Sequence, residues 1–308
     1  MNKEIRDLFD RENIITQKIT IKKNVRIIES NSLKFVIKRR DKDLNSLFKY
    51  LTSRSFNNFP KIIYQTDNYD IYEYLEDTEL PIEQRSLDII KLTTMLHSKT
   101  TFYKEVDEDY YKKVYEDIHD KTEYLTNYYN DIATIIEKEE YMSPSNYLFI
   151  RNISKVFQAL NYCRYSIDKW YEIISQKKRI RIVNIHNNLS LDHYIASSNK
   201  ALISWRFSKR DLPIYDILKL YKKYYTNLDF CELLRNYEIH YPLLPEEKNL
   251  FFCLISMPEK IEFTSNEYAL CQKIKHFYDY LNTSEKFISD YFPTPPPPKP
   301  NKKTTIKS

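Results

Sequence analysis

A polar loop between two short β-branched runs carries most of the side chains that could do chemistry. The runs span Arg181–Ile185 and Ala201–Trp205, and both are typical of strands. The loop offers imidazole, amide and carboxylate groups, on His186, Asn188, Asp192 and His193. Such groups move protons, orient a reacting hydroxyl or hold a metal ion. After the second run, Asp211-Leu-Pro predicts the start of a helix, with Asp211 as its N-cap.

This order of strand, polar loop, strand and Asp-x-Pro helix resembles the catalytic centre of the kinase-like phosphotransferases. That group includes aminoglycoside phosphotransferases, choline kinases and spore-coat kinase-like proteins. Their loop reads H-G-D-x-x-x-x-N, and a later hydrophobic-Asp dipeptide supplies a metal ligand. In this chain the loop begins His186-Asn187-Asn188, His193 takes the asparagine position, and Ser204 takes the metal-aspartate position.

The resemblance implies a catalytic role at the positions of His186 and Asn188, and metal binding at those of His193 and Ser204. An amide cannot take up a proton, a serine hydroxyl carries no charge, and Mg²⁺ prefers oxygen ligands to imidazole nitrogen. The sequence therefore predicts a pseudokinase that acts by binding a partner protein or a nucleotide. ATP is the implied nucleotide, and the replaced positions argue against Mg²⁺ as its companion.

Alternatives remain open at this stage. A small shift of the loop would let Asp192 act as a substitute metal ligand, and Asp211 or Asp216 could lean inward, giving a working small-molecule phosphotransferase. The resemblance also implies that the segment from Asp211 to Asp216 braces the loop. A structural role in assembly, as in a spore coat, is a third hypothesis by family analogy. A metal site from His186, Asp192 and His193 fits no usual zinc spacing, and a serine hydrolase lacks its glycine elbow.

Upstream, five strand-like runs and one helix resemble the small lobe of the same fold. The strands are predicted at 14–20, 25–29, 33–38, 59–64 and 69–75, and the helix at 43–52. Phe35-Val36-Ile37-Lys38 resembles the strand lysine that contacts nucleotide phosphates, so Lys38 is a predicted cofactor-binding residue. Asp43 is the one carboxylate that its helix offers as a partner. Glu73 to Glu76 resembles the hinge that meets adenine, which adds Glu73 and Leu75.

These features together predict an α/β (α+β) bilobal protein-kinase-like fold. A five-stranded N-lobe with one helix covers 1–76, and a large helical C-lobe covers 77–292. Within that C-lobe, Leu96-His97 resembles a pair common in these phosphotransferases, with His97 structural rather than catalytic. A proline-rich basic segment, 293–308, favours polyproline II or disorder over packing.

Composition narrows the function classes further. The chain of 308 residues has no glycine, so turns with positive φ are expected to use Asn or Asp, and glycine-rich phosphate loops are excluded. A net charge of +5 is too small to indicate nucleic-acid binding. The four cysteines are scattered and show no metal-ribbon spacing. No signal peptide or membrane segment is evident, so a cytoplasmic protein without a membrane partner is expected.

Overall fold

The computed structural model describes residues 3–22, 25–30, 33–197 and 199–292. The helices are α1 (Lys3–Arg11), α2 (Asn45–Ser53), α3 (Ile82–Thr100), α4 (Glu108–Glu137), α5 (Pro144–Ile150), α6 (Ile153–Ile174), α7 (Ile214–Tyr224), α8 (Phe230–His240), α9 (Pro245–Ser256) and α10 (Glu267–Tyr291). The strands are β1 (Thr16–Lys22), β2 (Val25–Ser30), β3 (Lys34–Arg39), β4 (Ile62–Gln65), β5 (Tyr69–Glu73), β6 (Phe102–Glu105), β7 (Arg179–Ile185), β8 (Tyr194–Ile195), β9 (Ala201–Leu202) and β10 (Lys209–Asp211). The predicted tail, 293–308, lies outside the described residues.

The N-terminal part is a five-stranded antiparallel sheet in the order β1-β2-β3-β5-β4, which confirms the predicted small lobe. The residues of strand β3 show what each face of this sheet contacts, because successive side chains of a strand point to opposite sides. Phe35 and Ile37 are buried on one face. On the other face, Val36 packs against the large core, and Lys38 points the same way as Val36. The sheet therefore aims Lys38 towards the C-terminal part of the molecule.

Helix α1 adds a second helix to this lobe, where the sequence predicted one. Its buried residues Ile5, Leu8 and Phe9 follow a helical spacing and cover the Phe35 and Ile37 face of the sheet. Phe9 lies 5.9 Å from Phe35, ring centroid to ring centroid. These apolar residues complete a small core that is separate from the large one. The helix was not predicted because charged residues dominate the segment around them.

The C-terminal part surrounds a large core with helices, and its main scaffold is the packing of α6 against α9, α4 and α10. A three-stranded sheet in the order β10-β7-β6 crosses it, and β8 pairs with β9 in a short hairpin. This arrangement matches the predicted bilobal α/β fold. Over the described residues, no helix combines the length and the apolar content needed to cross a bilayer.

Local differences from the predicted elements have simple causes. In the sequence, Ile150, Ile153, Phe157 and Leu160 keep one helical period, which predicts a single helix over 146–175. The structure has two helices there, α5 and α6, interrupted at Arg151 and Asn152. The strand predicted over Ala201–Trp205 ends at Leu202, because a 3-10 turn begins at Trp205. Positive φ occurs at Asn13 and Asn187, as expected for a chain without glycine, but also at two serines, Ser55 and Ser204.

Candidate active site

The candidate site begins where β7 ends. This strand is buried from Ile180 to Ile185 and lies in the middle of its three-stranded sheet, so the loop that follows starts from a rigid base. Asn187 turns the chain with a φ of 60°. It stands where the resembled motif has glycine, and asparagine is among the few other residues that adopt this conformation readily. The turn of the motif is therefore kept without glycine.

Asp216, on the first turn of α7, holds this turn in place. Its side chain is fully buried. One carboxylate oxygen accepts the backbone N–H of Asn187 at 2.6 Å, and the other accepts that of His186 at 2.8 Å. The His97 ring nitrogen Nε2 donates to the same carboxylate at 3.1 Å, while Nδ1 of that ring accepts from the hydroxyl of Tyr237 at 2.7 Å. His97 therefore has the structural position that was predicted for it, and Asp216 braces the loop.

Three of the predicted site positions are joined directly by hydrogen bonds. His193 Nδ1 donates to the backbone carbonyl of Asn188 at 2.7 Å, and Asn188 Nδ2 donates to the backbone carbonyl of Ser204 at 3.3 Å. Ile203 N–H also donates to the backbone carbonyl of His193 at 2.8 Å. The fold thus assembles Asn188, His193 and Ser204 into one half-buried cluster, as the motif alignment requires.

His186 lies behind this cluster and is completely buried. Its Nε2 meets the carbonyl of Ile203 at 2.9 Å, and its ring stands edge-on to Trp205 at 4.7 Å between centroids. Burial lowers the pKa of His186 to about 4, although the nearby Asp216 carboxylate acts in the opposite direction. A neutral ring with its proton on Nε2 donates to this carbonyl, and the buried Nδ1 has no hydrogen-bond partner in the described chain. His186 is therefore a packing and positioning residue of the loop.

This burial predicts a pH dependence of stability. The unfolded chain takes up a proton near the ordinary pKa of 6.5, whereas the folded chain resists it until about pH 4. The stability that the neutral His186 ring contributes is therefore fully present above pH 6.5, and it is lost as the pH falls towards about 4. We expect about 2 kcal/mol of unfolding free energy to be lost from this residue between about pH 7.5 and about pH 5.

Urea unfolding of the parent and of His186→Gln at both pH values measures this loss, because glutamine stays neutral over the whole range. His240→Gln, at an exposed helix end, is the matched control and should behave as the parent does. Equal pH profiles for the parent and His186→Gln would contradict the assignment.

Lys38 reaches the cleft between the sheet and the loop. Its Nζ lies 5.9 Å from the ring centroid of Tyr72. Burial lowers the pKa of Lys38, and the positive charge of Arg206 lowers it further. Among the described residues no carboxylate lies within ion-pair distance of Lys38. Asp43, the one acid on the expected helix, instead pairs with Arg40 at 3.3 Å.

The predicted hinge is extended chain that is tied to the loop region. Glu73 ends β5, and its carboxylate accepts the N–H of Lys61 at 2.9 Å. Beyond it, Thr78 N–H donates to the carbonyl of Ala196 at 3.2 Å. Within the described chain the backbone groups of Leu75 make no hydrogen bond, so their hydrogen-bonding capacity is unused. The roles of Glu73 and Leu75 in cofactor binding stay predictions.

The two substitute carboxylates point elsewhere. Asp192 is 77% exposed, and its carboxylate lies 3.9 Å from Lys223 Nζ. Asp211 forms an ion pair with Lys209 at 2.6 Å and accepts the N–H of Leu212. The prediction of Asp211 as a helix N-cap is wrong. Helix α7 starts at Ile214 after Pro213, because Asp211 is taken up by the pairing of β10 with β7.

The donor groups that face the cleft differ from those that Mg²⁺ prefers. Asn188 offers an amide, Ser204 a hydroxyl and His193 a ring nitrogen, whereas Mg²⁺ favours carboxylate oxygens in an octahedral arrangement. In the described parts of the chain, no group of three or more His, Cys, Asp or Glu side chains is placed to hold a metal ion. The residues present therefore do not fit a magnesium centre of the usual kind.

With the architecture and the loop in place, the fold is that of the kinase-like phosphotransferases. An aminoglycoside phosphotransferase from Alicyclobacillus acidocaldarius superposes with a TM-score of 0.60 at 9% identity, over 90% of both chains. The AMP-bound complex of spectinomycin phosphotransferase APH(9)-Ia superposes with a TM-score of 0.50 at 12% identity, over 95% of both chains. No family model and no curated protein sequence matches the chain. At such identities the likeness establishes the fold, and function must be argued from the site.

The structure also brings cations to the loop that the motif comparison did not single out. Lys219 Nζ donates to the carbonyl of Asn187 at 2.7 Å. Lys42 Nζ donates to the carbonyl of Ser208 at 3.1 Å. Arg206 lies two residues beyond Ser204, and this short spacing is the one feature of the sequence that places it near the loop. Nothing in the sequence places Lys42 there, since its contact with Ser208 joins the two lobes.

Proposed function

We propose that this protein binds a nucleotide in the cleft between its lobes and does not transfer the phosphoryl group. One observation carries the proposal. The loop is fully assembled and braced by Asp216, yet an amide and a hydroxyl stand where the transfer chemistry needs carboxylates. Phosphoryl transfer depends on positioning and on charge neutralisation at the phosphates. The positioning frame is present here, and the charged groups for catalysis are not.

Support for a nucleotide comes from both walls of the cleft. Lys38 is aimed inward without a carboxylate partner in the described chain, and the hydrogen-bonding capacity of the Leu75 backbone is unused at the position of the hinge. The AMP in the spectinomycin phosphotransferase complex shows that a protein of this fold accepts an adenine nucleotide. A working phosphotransferase that uses Asp192 or Asp211 has less support. Asp211 pairs with Lys209 at 2.6 Å, and the exposed Asp192 carboxylate makes no hydrogen bond to Asn188, His193 or Ser204 in the described chain.

The direct test measures binding and turnover together. Isothermal titration calorimetry with ATP should show saturable binding to the full chain. A coupled assay for ADP release should stay at the level of a protein-free blank, with and without Mg²⁺. ADP release that scales with protein concentration and disappears in Asn188→Ala would contradict the proposal and would restore the enzyme hypothesis.

Lys38→Ala is expected to weaken ATP binding by about tenfold or more, since charge-assisted contacts to phosphate are worth about 1.5–3 kcal/mol. Titration calorimetry of the variant against the parent measures the loss. Lys49→Ala removes the same charge from an exposed position of α2 and should bind ATP as the parent does. Equal losses in the two variants would point to net charge rather than to a contact of Lys38.

A further inference from the structure

Positive charge gathers around the loop at the place where a phosphotransferase would keep its metal ligands. Lys219, on α7, donates to the carbonyl of Asn187 at 2.7 Å. Lys38 lies on the face of β3 that is turned to the large core, and Arg206 follows Ser204 by two residues. Three acids lie nearby. Asp216 is buried under the loop, Asp41 pairs with Arg206 at 3.1 Å, and Asp192 is exposed and lies 3.9 Å from Lys223. In the described chain Lys38 and Lys219 therefore have no carboxylate partner, and Arg206 has only the exposed Asp41.

The fold holds Arg206 in this place. Ser204 adopts a left-handed conformation with φ 70° and ψ 48°, and the 3-10 turn Trp205–Phe207 follows directly. Trp205 is fixed as a buried anchor, with its indole Nε1 donating to the carbonyl of Leu202 at 2.6 Å. The Arg206 guanidinium lies 4.3 Å from the ring centroid of Phe207. The backbone that carries Arg206 is therefore anchored by Trp205, and the guanidinium itself lies against Phe207 and Asp41.

Two positive charges on opposite sides of a half-buried cleft repel each other, and an anion bound between them removes this repulsion. The chain just after β3 contacts the chain around Arg206, since Asp41 pairs with Arg206 and Lys42 Nζ donates to the carbonyl of Ser208 at 3.1 Å. These contacts bring the end of β3, which carries Lys38, close to Arg206. In agreement, burial and the charge of Arg206 both lower the pKa of Lys38. Arg206 remains 56% exposed, and Asp41, its ion-pair partner, is 52% exposed. Exposed pairs of this kind contribute little energy, so Arg206 can exchange Asp41 for a phosphate, which its planar fork matches well.

We propose that Lys38 and Arg206 together form a metal-independent site for the phosphates of a nucleoside polyphosphate. This inference rests on the proposed function and adds that the nucleotide is bound without its metal ion. In an active phosphotransferase Mg²⁺ provides positive charge next to the phosphates. Here the side chain of Arg206 provides it. The free nucleotide carries two more negative charges than its magnesium complex. The site therefore prefers ATP without the metal.

The test is titration calorimetry of the full chain with ATP, at constant ionic strength, in EDTA and in excess Mg²⁺. The parent should bind about tenfold more tightly in EDTA than in Mg²⁺, a ratio that one well-placed charge contact can supply. Arg206→Ala should lose about tenfold in EDTA and most of the preference. Asp41→Asn releases Arg206 from its ion pair and should bind ATP more tightly than the parent. Arg151→Ala, which removes an exposed arginine from the far end of α5, should match the parent.

The outcomes separate this inference from the proposed function. Binding that requires Mg²⁺, or that is unchanged in Arg206→Ala, would overturn the metal-independent site while leaving a nucleotide-binding protein. Absence of ATP binding in both buffers would overturn the proposed function and the site together. Inorganic triphosphate as a competitor checks the ligand class, because it should displace ATP in EDTA if the phosphates are what Lys38 and Arg206 hold.

Discussion

Replacing Asp216 with alanine should lower the free energy of unfolding by about 3–5 kcal/mol, because it leaves three buried donors without an acceptor. Those donors are the backbone N–H groups of His186 and Asn187 and the Nε2–H of His97. Asp216 and His97 are both fully buried, so bulk solvent does not reach these donors in the folded parent protein. Chemical denaturation at neutral pH, followed by circular dichroism, measures this loss.

Asp216→Asn provides a graded comparison. The amide keeps the shape of the carboxylate and one acceptor oxygen, but its NH₂ group faces an N–H donor that the carboxylate had accepted. We therefore expect the free energy of unfolding to fall by about 2–3 kcal/mol. Asp131→Ala, at an exposed position of α4, should stay within about 0.5 kcal/mol of the parent. If Asp216→Ala were as mild as Asp131→Ala, the loop would be held by the strand before it and not by the brace.

The double variant Asn188→Asp with Ser204→Asp should reverse the effect of Mg²⁺ on ATP binding. The two changes return carboxylates to positions that the fold already holds next to each other, joined by the 3.3 Å contact from Asn188 Nδ2 to the Ser204 carbonyl. Carboxylate oxygens next to nucleotide phosphates are the usual setting of protein-bound Mg²⁺. We expect Mg²⁺ to strengthen ATP binding by about tenfold in the double variant, where it weakens binding to the parent.

Calorimetry with ATP in EDTA and in Mg²⁺ reads out the reversal. The control pair, Asn130→Asp with Ser175→Asp, adds the same two charges at exposed positions of the C-terminal part and should keep the behaviour of the parent. A double variant that still binds better in EDTA would show that the loop geometry, and not merely its side chains, has departed from a metal site.

Much of the fold was predictable because its signals are local. Alternation gave β3, where Phe35 and Ile37 face one side and Lys38 the other. The elements that escaped prediction depended on context. Helix α1 carries its apolar stripe inside a highly charged segment, and the break between α5 and α6 interrupts an apolar period that continues through it. Asp211 has the residue type and spacing of a helix N-cap, but in the structure it belongs to β10 and pairs with β7, so the helix begins later.

The candidate site was predictable only as far as its motif is contiguous. The loop positions from His186 to Ser204 follow from their spacing, and the structure joins Asn188, His193 and Ser204. The contact of Tyr237 with His97 and the ion pair of Arg206 with Asp41 connect distant parts of the chain. Neither has a sequence period that reveals it. A partner protein and a role in assembly stay predictions of the sequence, since they concern surfaces rather than this loop.

The aromatic cluster around Trp205 gives the chain an optical reporter of its own. Trp205 stands edge-on to Phe48, Phe56 and Phe59 at 6.0–6.3 Å, between the small lobe and the loop. The chain has two tryptophans, and the other, Trp170, lies buried in α6. In Trp170→Phe, indole emission would come from the junction of the lobes alone. Closure of the cleft on a ligand would then change the colour or intensity of that single emitter, without any attached dye.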